Sequence, residues 1–443
     1  MSSRPRLGLA LILAGIAAGG GACTRSKPNE ATGGDAGVAE AGRTDGASAN
    51  AADAAEPAGL SAPIAAARGE HGDVFVAGLE AAARAIRVQR ISDKGATVAS
   101  RTVLDGVAWS PESELKVVPA GGGIAVTWRG LRGGKLVRHL VVLGPDLAPK
   151  GEPIDVTAAS CATRDALFHT DGKRVYARPW AGGPTRTELP KDNDAALVCG
   201  ASRAFALLDE EDGTSLVVLG ADAGVPVMPL LRESEFGDDD QRERAEYTVG
   251  DDLGVVRLGV SGAIAMREVR AGALGPLRKL KTSIARDDDV VAVDASPRAL
   301  VIVYTEDVSE ACPKEGGASM TGSTRVKALR VDRATLEEST LELSPGTCGR
   351  EVGPFFTAAL GDAVSVAWVE RTPVAGKARA PIAGLAHRRV PAAGSASELA
   401  RIEQPADALV DAGCDGARCY AVALERRAGM DAMVPGLPRV LRY

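Results

Sequence analysis

The stretch GIAVTWRG, residues 123–130, is the clearest copy of a pattern that recurs along the chain. Its apolar side chains Ile124, Val126 and Trp128 alternate with other residues, which is the period-two signature of a β-strand. A second clear copy, DAVSVAWVE at residues 362–370, repeats the same alternation. The sequence therefore predicts a repeat protein whose basic unit contains this strand.

Six further stretches match the pattern less well, and the first apolar residue of each copy can be used as an anchor. The eight anchors are Val74, Ile124, Leu167, Phe205, Val256, Leu300, Val364 and Tyr420. Their spacing averages about 49 residues, a period that indicates a solenoid, a propeller or another array. A short apolar run precedes the anchors, and two strand-like runs joined by a polar turn follow each of the first seven. Each unit is therefore predicted to contain four strands.

This organisation resembles the β-propellers of extracytoplasmic bacterial repeat proteins. We therefore expect residues 60–443 to form an all-β propeller of four-stranded blades. Eight blades are expected, with seven as the alternative if the poor third unit at Leu167 merges with its neighbours. No window in this region sustains the apolar 3.6-residue period that helical repeats require. The last unit lacks an outer strand, so a strand near Leu60 is expected to complete it and protect its edge.

The first 22 residues have the features of an export signal. Arg4 and Arg6 precede an apolar stretch at residues 7–18 that is too short to span a bilayer, and a run of small residues ends at Cys23. This ending resembles a bacterial lipoprotein signal, which implies cleavage before Cys23 and attachment of lipid to it. The alternative is an ordinary cleaved signal with no lipid on this cysteine.

Residues 23–59 are predicted to be a disordered tether. The segment consists mainly of Ala, Gly, Asp, Glu and Ser and contains no aromatic residue. Such a composition cannot bury enough apolar surface to offset the loss of chain entropy on folding. The tether would hold the propeller clear of a membrane surface.

Six cysteines remain once Cys23 is set aside, and an even number in an exported chain indicates up to three disulfides. Their spacing does not match a zinc site. The repeat suggests three pairs, although the sequence alone does not fix the pairing. These disulfide candidates are Cys312 with Cys348, Cys161 with Cys199, and Cys414 with Cys419.

Composition and motifs restrict the function without defining it. The net charge of -6 argues against a nucleic-acid partner, because such binders are strongly basic. The chain contains no HExxH, GxSxG or GxxxxGK motif, so no catalytic, cofactor-binding or metal-binding residue is assigned and no cofactor is expected. Acidic runs at 209–212, 238–240 and 287–289 are interpreted as solvated loop charges, with calcium binding as the alternative. His139 and His387 are interpreted as sheet or surface histidines.

In a four-stranded blade, the loop between the second and third strands and the connection to the next blade open on one face. The longest such loops are residues 306–324 and 371–381, which make this the expected binding face. We therefore expect a monomeric, lipid-anchored binding or scaffold module outside the cytoplasm, at the bacterial cell envelope. Its partners would be the membrane, through the lipid anchor, and a protein or envelope ligand. The alternative is an exported propeller hydrolase or lyase with a motif-free site in the central channel.

Overall fold

The computed structural model describes residues 60–442 with internal gaps. The segments assigned to the signal and the tether, residues 1–59, lie outside the described residues. The gaps are residues 70–71, 81–82, 109, 111–112, 121, 157–159, 172–173, 181–184, 190–194, 221–226, 238–240, 309–322, 373–381, 403–407, 415–418 and 426–436. Across this described part, no helix is long and apolar enough to cross a membrane.

The described residues form eight antiparallel sheets in chain order, which are the blades. Blade 1 contains β1 (Ser61–Arg68), β2 (Val74–Glu80), β3 (Ala85–Ile91) and β4 (Thr97–Asp105). Blade 2 contains β5 (Val107–Ala108), β6 (Glu114–Ala120), β7 (Gly123–Arg132), β8 (Lys135–Leu143) and β9 (Ile154–Asp155). Blade 3 contains β10 (Ser160–Ala162), β11 (Ala166–Thr170), β12 (Val175–Pro179) and β13 (Arg186–Leu189). Blade 4 contains β14 (Ala195–Cys199), β15 (Ala204–Glu210), β16 (Gly213–Leu219) and β17 (Met228–Arg232), followed by a 3₁₀ turn at Glu233–Glu235.

The second half of the chain continues the same order. Blade 5 contains β18 (Gln241–Val249), β19 (Asp252–Gly259), β20 (Ala263–Arg270), β21 (Ala273–Leu274) and β22 (Arg278–Ser283). Blade 6 contains β23 (Asp289–Ala295), β24 (Ala299–Asp307), β25 (Thr324–Asp332) and β26 (Glu338–Ser344). Blade 7 contains β27 (Glu351–Leu360), β28 (Ala363–Arg371), β29 (Ile382–Pro391) and β30 (Ala400–Ile402). Blade 8 contains β31 (Ala408–Cys414), β32 (Cys419–Glu425) and β33 (Leu437–Arg442).

The first strands of the eight blades form a closed ring. Each contacts the first strand of the next blade, and the first strand of blade 8 contacts that of blade 1. The members of this ring are β1, β6, β10, β14, β18, β23, β27 and β31. A closed ring of eight sheets is an eight-bladed β-propeller, so the expected all-β class and the higher blade number are confirmed.

The hydrophobic core lies between the blades. Eight apolar clusters are present among the described residues, and each is shared by one pair of neighbouring blades. Within β7, Ile124 and Trp128 pack towards blade 1, whereas Ala125 packs towards blade 3. Successive side chains of a strand point to opposite faces, so this strand contributes to two clusters. Both faces of this strand are therefore buried. The predicted alternation separates side chains that pack against the preceding blade from side chains that pack against the following blade.

All eight anchors lie on the second strand of a blade, as the repeat predicts. The face on which the anchor points is not constant, however. Ile124 and Val364 pack towards the preceding blade, whereas Phe205 and Tyr420 pack towards the following one. A shift of one residue along a strand moves every side chain to the other face of the sheet. The anchors Phe205 and Tyr420 were therefore aligned with Ile124 and Val364 one position out of register.

The expected closure of blade 8 by a strand near Leu60 stays a prediction, because residues 54–59 lie outside the described residues. β1 is the first strand of blade 1, where it pairs with β2, and it does not extend blade 8. Instead, Leu60 and Ala66 pack against Tyr420 and Val422 of blade 8. Blades 1 and 8 are thus joined by side-chain packing, and three described strands form blade 8.

A polar cluster crosses from blade 5 to blade 6. The Tyr247 hydroxyl donates a 2.8 Å hydrogen bond to Glu268, and Arg333 of blade 6 donates to the same carboxylate at 2.6 Å. Arg270 provides a second cation for this carboxylate. Tyr247 reaches Glu268 by crossing Gly254, the residue opposite both of them in the sheet. A Cβ atom at Gly254 would lie only 2.0 Å from Tyr247 Cζ, so this position has no room for a side chain.

We predict that Gly254→Ala destabilises the protein by about 1–3 kcal/mol, because the new methyl group collides with the Tyr247 ring. The measurement is the free energy of unfolding in urea. The matched control is the same substitution in a Tyr247→Leu background, where the collision is removed and the cost should fall. If Gly254→Ala lowers the free energy of unfolding equally in both backgrounds, the Tyr247 ring is not the cause.

Candidate functional site

The expected binding face is formed by the second-to-third strand loops and the connections between blades. The central parts of its two longest loops, residues 309–322 and 373–381, lie outside the described residues, as does Cys312. The bases of these loops are described. They belong to the adjacent blades 6 and 7, and the strand bounds place a further long second-to-third strand connection of this face, residues 426–436, on blade 8.

The base of the blade 6 loop is held by backbone and charged contacts. The Val308 amide donates to the Ser323 carbonyl at 2.8 Å, which closes the loop like a hairpin. Glu306 accepts from Arg325 at 2.9 Å and lies 2.8 Å from the Lys327 ammonium. The Lys327 hydrogen bond lowers the pKa of Glu306, and Arg325 adds to this effect, so the carboxylate is ionised at neutral pH.

The connection from blade 6 to blade 7 is held next to this base. Ser323 pairs with Arg350 in an isolated bridge, and the Arg350 guanidinium lies 2.5 Å from the Glu370 carboxylate. Arg401 also donates to Glu370, at 3.0 Å. Cys348, two residues before Arg350, is disulfide-bonded. Its predicted pairing with Cys312 stays a prediction, because that partner is not described.

Blades 3 and 4 are linked by a disulfide between Cys161 and Cys199, whose Cα atoms are 5.6 Å apart. Both cysteines lie on first strands, as the repeat suggested. Blade 3 has the shortest set of strands, between three and five residues each. A bridge closing 38 residues contributes about 3–4 kcal/mol by restricting the unfolded chain, which offsets the small core of this blade. Cys419 of blade 8 is also disulfide-bonded, whereas the side chain of Cys414 is not described.

In the first of the acidic runs considered for calcium, Asp209 is engaged by a cation. Asp209 accepts from Arg244 at 2.5 Å and from Thr214 at 3.2 Å. Residues 238–240 lie outside the described residues. Next to the third run, Arg242 donates to the Ala285 carbonyl at 3.1 Å. Within the described ranges, no group of three or more Asp, Glu, His or Cys residues is arranged to hold a metal ion.

Two of the four histidines lie where the sequence placed them. His139 and His387 are in the third strands β8 and β29. His139 is buried and lies 3.2 Å from Arg132. Burial, together with the charge of Arg389, lowers the pKa of His387 to about 4, so this imidazole is neutral at pH 7. His139 is buried in its sheet and His387 is partly buried, which agrees with the structural interpretation of both residues.

The channel wall carries an acid that sequence reasoning did not select. Asp294 lies on β23, the first strand of blade 6, and is half-buried. Its carboxylate accepts the Ala295 amide at 2.7 Å and a hydrogen bond from Thr357 on the first strand of blade 7. Burial raises the pKa of Asp294 to about 6, and the two hydrogen bonds only partly oppose this effect. Its only sequence signal is an isolated acid in the apolar run VVAVDA.

We predict that Asp294 makes the protein less stable as the pH rises from about 4 to about 6. The raised pKa means that the folded state holds this proton more tightly than the unfolded state, where the pKa is near 3.8. The stabilisation from the bound proton is complete below the lower value and lost above the higher one. The measurement is the urea midpoint from pH 4 to pH 8 for the wild type and Asp294→Asn.

The Asn variant should lose this part of the pH dependence and be more stable at pH 8, because a neutral amide carries no buried charge and its oxygen still accepts the Ala295 amide. Asp362→Asn, at an exposed turn, is the matched control and should leave the profile unchanged. A profile for Asp294→Asn that overlays the wild type would contradict the assignment.

Ser202, which has no recognisable base nearby in sequence, is engaged in a structural contact. Its hydroxyl and its amide both donate to the carboxylate of Asp251 at 2.5 Å. These residues belong to the turns that precede the second strands of blades 4 and 5. The contact joins two neighbouring turns and does not resemble a nucleophile activated by a base.

Comparisons with known proteins provide no functional assignment. No protein-family model and no curated protein matches the sequence. Among solved structures, the WD40 domain of SCAP from fission yeast is similar over 87% of this chain and 96% of its own, with 8% identity and a TM-score of 0.45. The β-propeller domain of the Trilobed protease from Pyrococcus furiosus covers 76% of this chain and 94% of its own, with 10% identity and a TM-score of 0.44. A computationally designed protein, Ika8, covers 87% and 96%, with 12% identity and a TM-score of 0.40. All three scores are low, so the fold assignment rests on the closed ring of first strands.

Proposed function

We propose that this protein is a non-enzymatic binding or scaffold module held at the bacterial cell envelope by lipid on Cys23. The observation that carries the binding role is the pair of long loops on adjacent blades 6 and 7, whose bases are fixed by ion pairs. Rigid bases that carry long loops are a common design for protein recognition, because the scaffold positions the loops and the loops supply the contacts. The resemblance of residues 1–23 to a lipoprotein signal supports the envelope location.

The charged groups at these bases favour binding over catalysis. Glu306 is saturated by Arg325 and Lys327, and Glu370 by Arg350 and Arg401. These contacts lower the pKa of Glu306, so this carboxylate is poorly suited to act as a general acid near neutral pH. Such pairs instead give the surface around the loops a fixed pattern of charge that a partner can recognise.

The enzyme alternative has one supporting observation. Asp294 has a pKa of about 6 and lies on the channel wall, where a motif-free hydrolase or lyase would place an acid or a base. Its carboxylate is already engaged by Thr357 and by the Ala295 amide, and both contacts also fit a structural role. An activity lost specifically in Asp294→Asn would favour the enzyme.

We predict that the protein partitions into the detergent phase and that Cys23→Ser releases it into the aqueous phase, because one acyl-modified cysteine supplies the membrane affinity. The measurement is phase separation followed by immunoblotting of cell envelopes. Ser26→Ala is the control, since it changes a nearby residue and leaves the Cys23 thiol in place. If Cys23→Ser partitions like the wild type, the lipid anchor is excluded.

We predict that a photo-crosslinking residue at Asp307, at the exposed end of the blade 6 loop base, captures an envelope component in living cells. The same residue at Arg298, in the turn at the opposite end of β24, is the matched control and should capture much less. The measurement is mass spectrometry of the crosslinked product. Equal capture from both positions, or from neither, would contradict a binding face on blades 6 and 7.

A further inference from the structure

One charged position recurs on the face opposite the long loops. This turn face is formed by the turns that join the first and second strands of the blades, and the position is the residue immediately before each second strand. From blade 3 to blade 7 this residue alternates in sign from each blade to the next. We call these residues the alternating patch, and they are Asp165, Arg203, Asp251, Arg298 and Asp362.

Direct contacts between neighbouring turns hold the patch on one surface. The Arg164 amide donates to the Ala201 carbonyl at 2.8 Å, and the Ala201 amide donates to the Gly250 carbonyl at 2.8 Å, which joins the turns of blades 3, 4 and 5. The Ser296 hydroxyl donates to the Asp362 carbonyl at 3.0 Å and joins the turns of blades 6 and 7. The spacing of the charges is therefore set by the ring of blades.

The side chains of the patch are not paired with one another. Asp165, Arg298 and Asp362 are exposed, and in the described part of the chain their side chains make no ion pair or hydrogen bond. The Asp251 carboxylate accepts from Ser202 at 2.5 Å and from the Arg203 backbone amide at 3.1 Å. Within the same described part, no ion pair joins two members of the patch, so their charges remain available to a partner.

A patch of alternating sign selects against uniformly charged partners. An anionic membrane or a nucleic acid would meet three acids, and a polycation would meet two arginines. Like charges placed directly opposite each other across an interface cost several kcal/mol. A partner that fits must therefore carry the same alternation in a complementary register. A second copy of this chain carries that alternation at the same spacing.

The symmetry of the ring makes the patch complementary to itself. Two copies that meet turn face to turn face run through their blades in opposite directions. A twofold axis that lies in the interface and passes between two blades places every odd-numbered blade opposite an even-numbered one. The acids of the patch are on odd-numbered blades and the arginines on even-numbered blades, so each charge meets the opposite sign. The pattern stays in step around the ring because the number of blades is even.

We propose that the protein forms a twofold-symmetric dimer through its turn faces, with the axis between blades 4 and 5. Asp165 of each copy then meets Arg298 of the other, and Arg203 meets Asp251. Asp362 lies opposite Gly122 of blade 2, which carries no charge.

The other axis beside blade 5, between blades 5 and 6, brings no two unpaired, exposed side chains together. It would place Arg298 opposite Asp251, whose carboxylate Ser202 already occupies. In the proposed dimer both loop faces point away from the interface, so the partner face of blades 6 and 7 stays accessible on each copy. The dimer does not depend on that face or on the lipid anchor.

The test is photo-crosslinking in living cells that express the full chain with two different epitope tags. A photo-crosslinking residue at Ala201, an exposed position beside the patch that leaves all of its charges in place, should give a product of twice the chain mass that carries both tags. The same residue at Asp307, on the loop face, should give no doubly tagged product. A product from Ala201 that carries one tag only, or no product, would mean that the chain is a monomer or has a different partner there, and would overturn the proposal.

Charge reversal tests the proposed pairing. Arg298→Asp should lower the yield of doubly tagged product about tenfold or more, because it places two acids opposite each other. Adding Asp165→Arg to the same chain exchanges the two charges and should restore the yield to within about twofold of the wild type. Arg286→Asp, at an exposed position in the connection between blades 5 and 6, makes the same charge change on the loop face and should have no effect. An unchanged yield in Arg298→Asp, or a double variant as poor as the single one, would contradict the dimer.

Discussion

Burial of the second strand of each blade on both faces is the constraint on which the rest of this structure depends. In β24, Leu300 and Ile302 pack towards blade 5, whereas Val301 and Val303 pack towards blade 7. Each fully buried aliphatic side chain contributes about 1.5–3 kcal/mol relative to an exposed one, so one strand stabilises two interfaces at once. A single blade exposes both of these faces and cannot be stable alone, which is why the repeat must continue until the ring closes.

Charged residues then specify how neighbouring blades are aligned. Arg90 of blade 1 donates to the Pro145 carbonyl of blade 2, and Arg330 of blade 6 donates to the Pro391 carbonyl of blade 7. Arg333 links blade 6 to the buried Glu268 of blade 5. Buried ion pairs add little net stability because desolvation opposes their attraction, but breaking one is costly. Their main effect here is to favour one register between adjacent sheets, since apolar faces of Val, Leu and Ala alone would slide against each other.

The sequence predicted the all-β fold class, the number of blades and the position of the second strand in each blade. These features follow from the alternation of apolar side chains and from the length of the repeat. It did not predict the face on which each anchor points. In β15, Ala204, Phe205, Ala206 and Leu207 are all apolar, so alternation cannot distinguish the two faces of a strand buried on both. It also did not predict that β1 is the first strand of blade 1. The alanine-rich β1 fits the crowded centre of the ring, where small side chains let first strands approach, and hydrophobic patterning does not separate this position from an outer strand.

The groups that carry chemical interest were not predicted because their environments come from residues about one repeat away. The Asp251 carboxylate meets Ser202 across 49 residues, Arg333 meets Glu268 across 65, and the disulfide from Cys161 to Cys199 spans 38. Asp294 meets Thr357 in the same way. Motif searches examine a few adjacent positions and therefore miss such pairs. In a propeller, the informative comparison is between each polar residue and the residues one unit before and after it, since neighbouring blades place these side chains in contact.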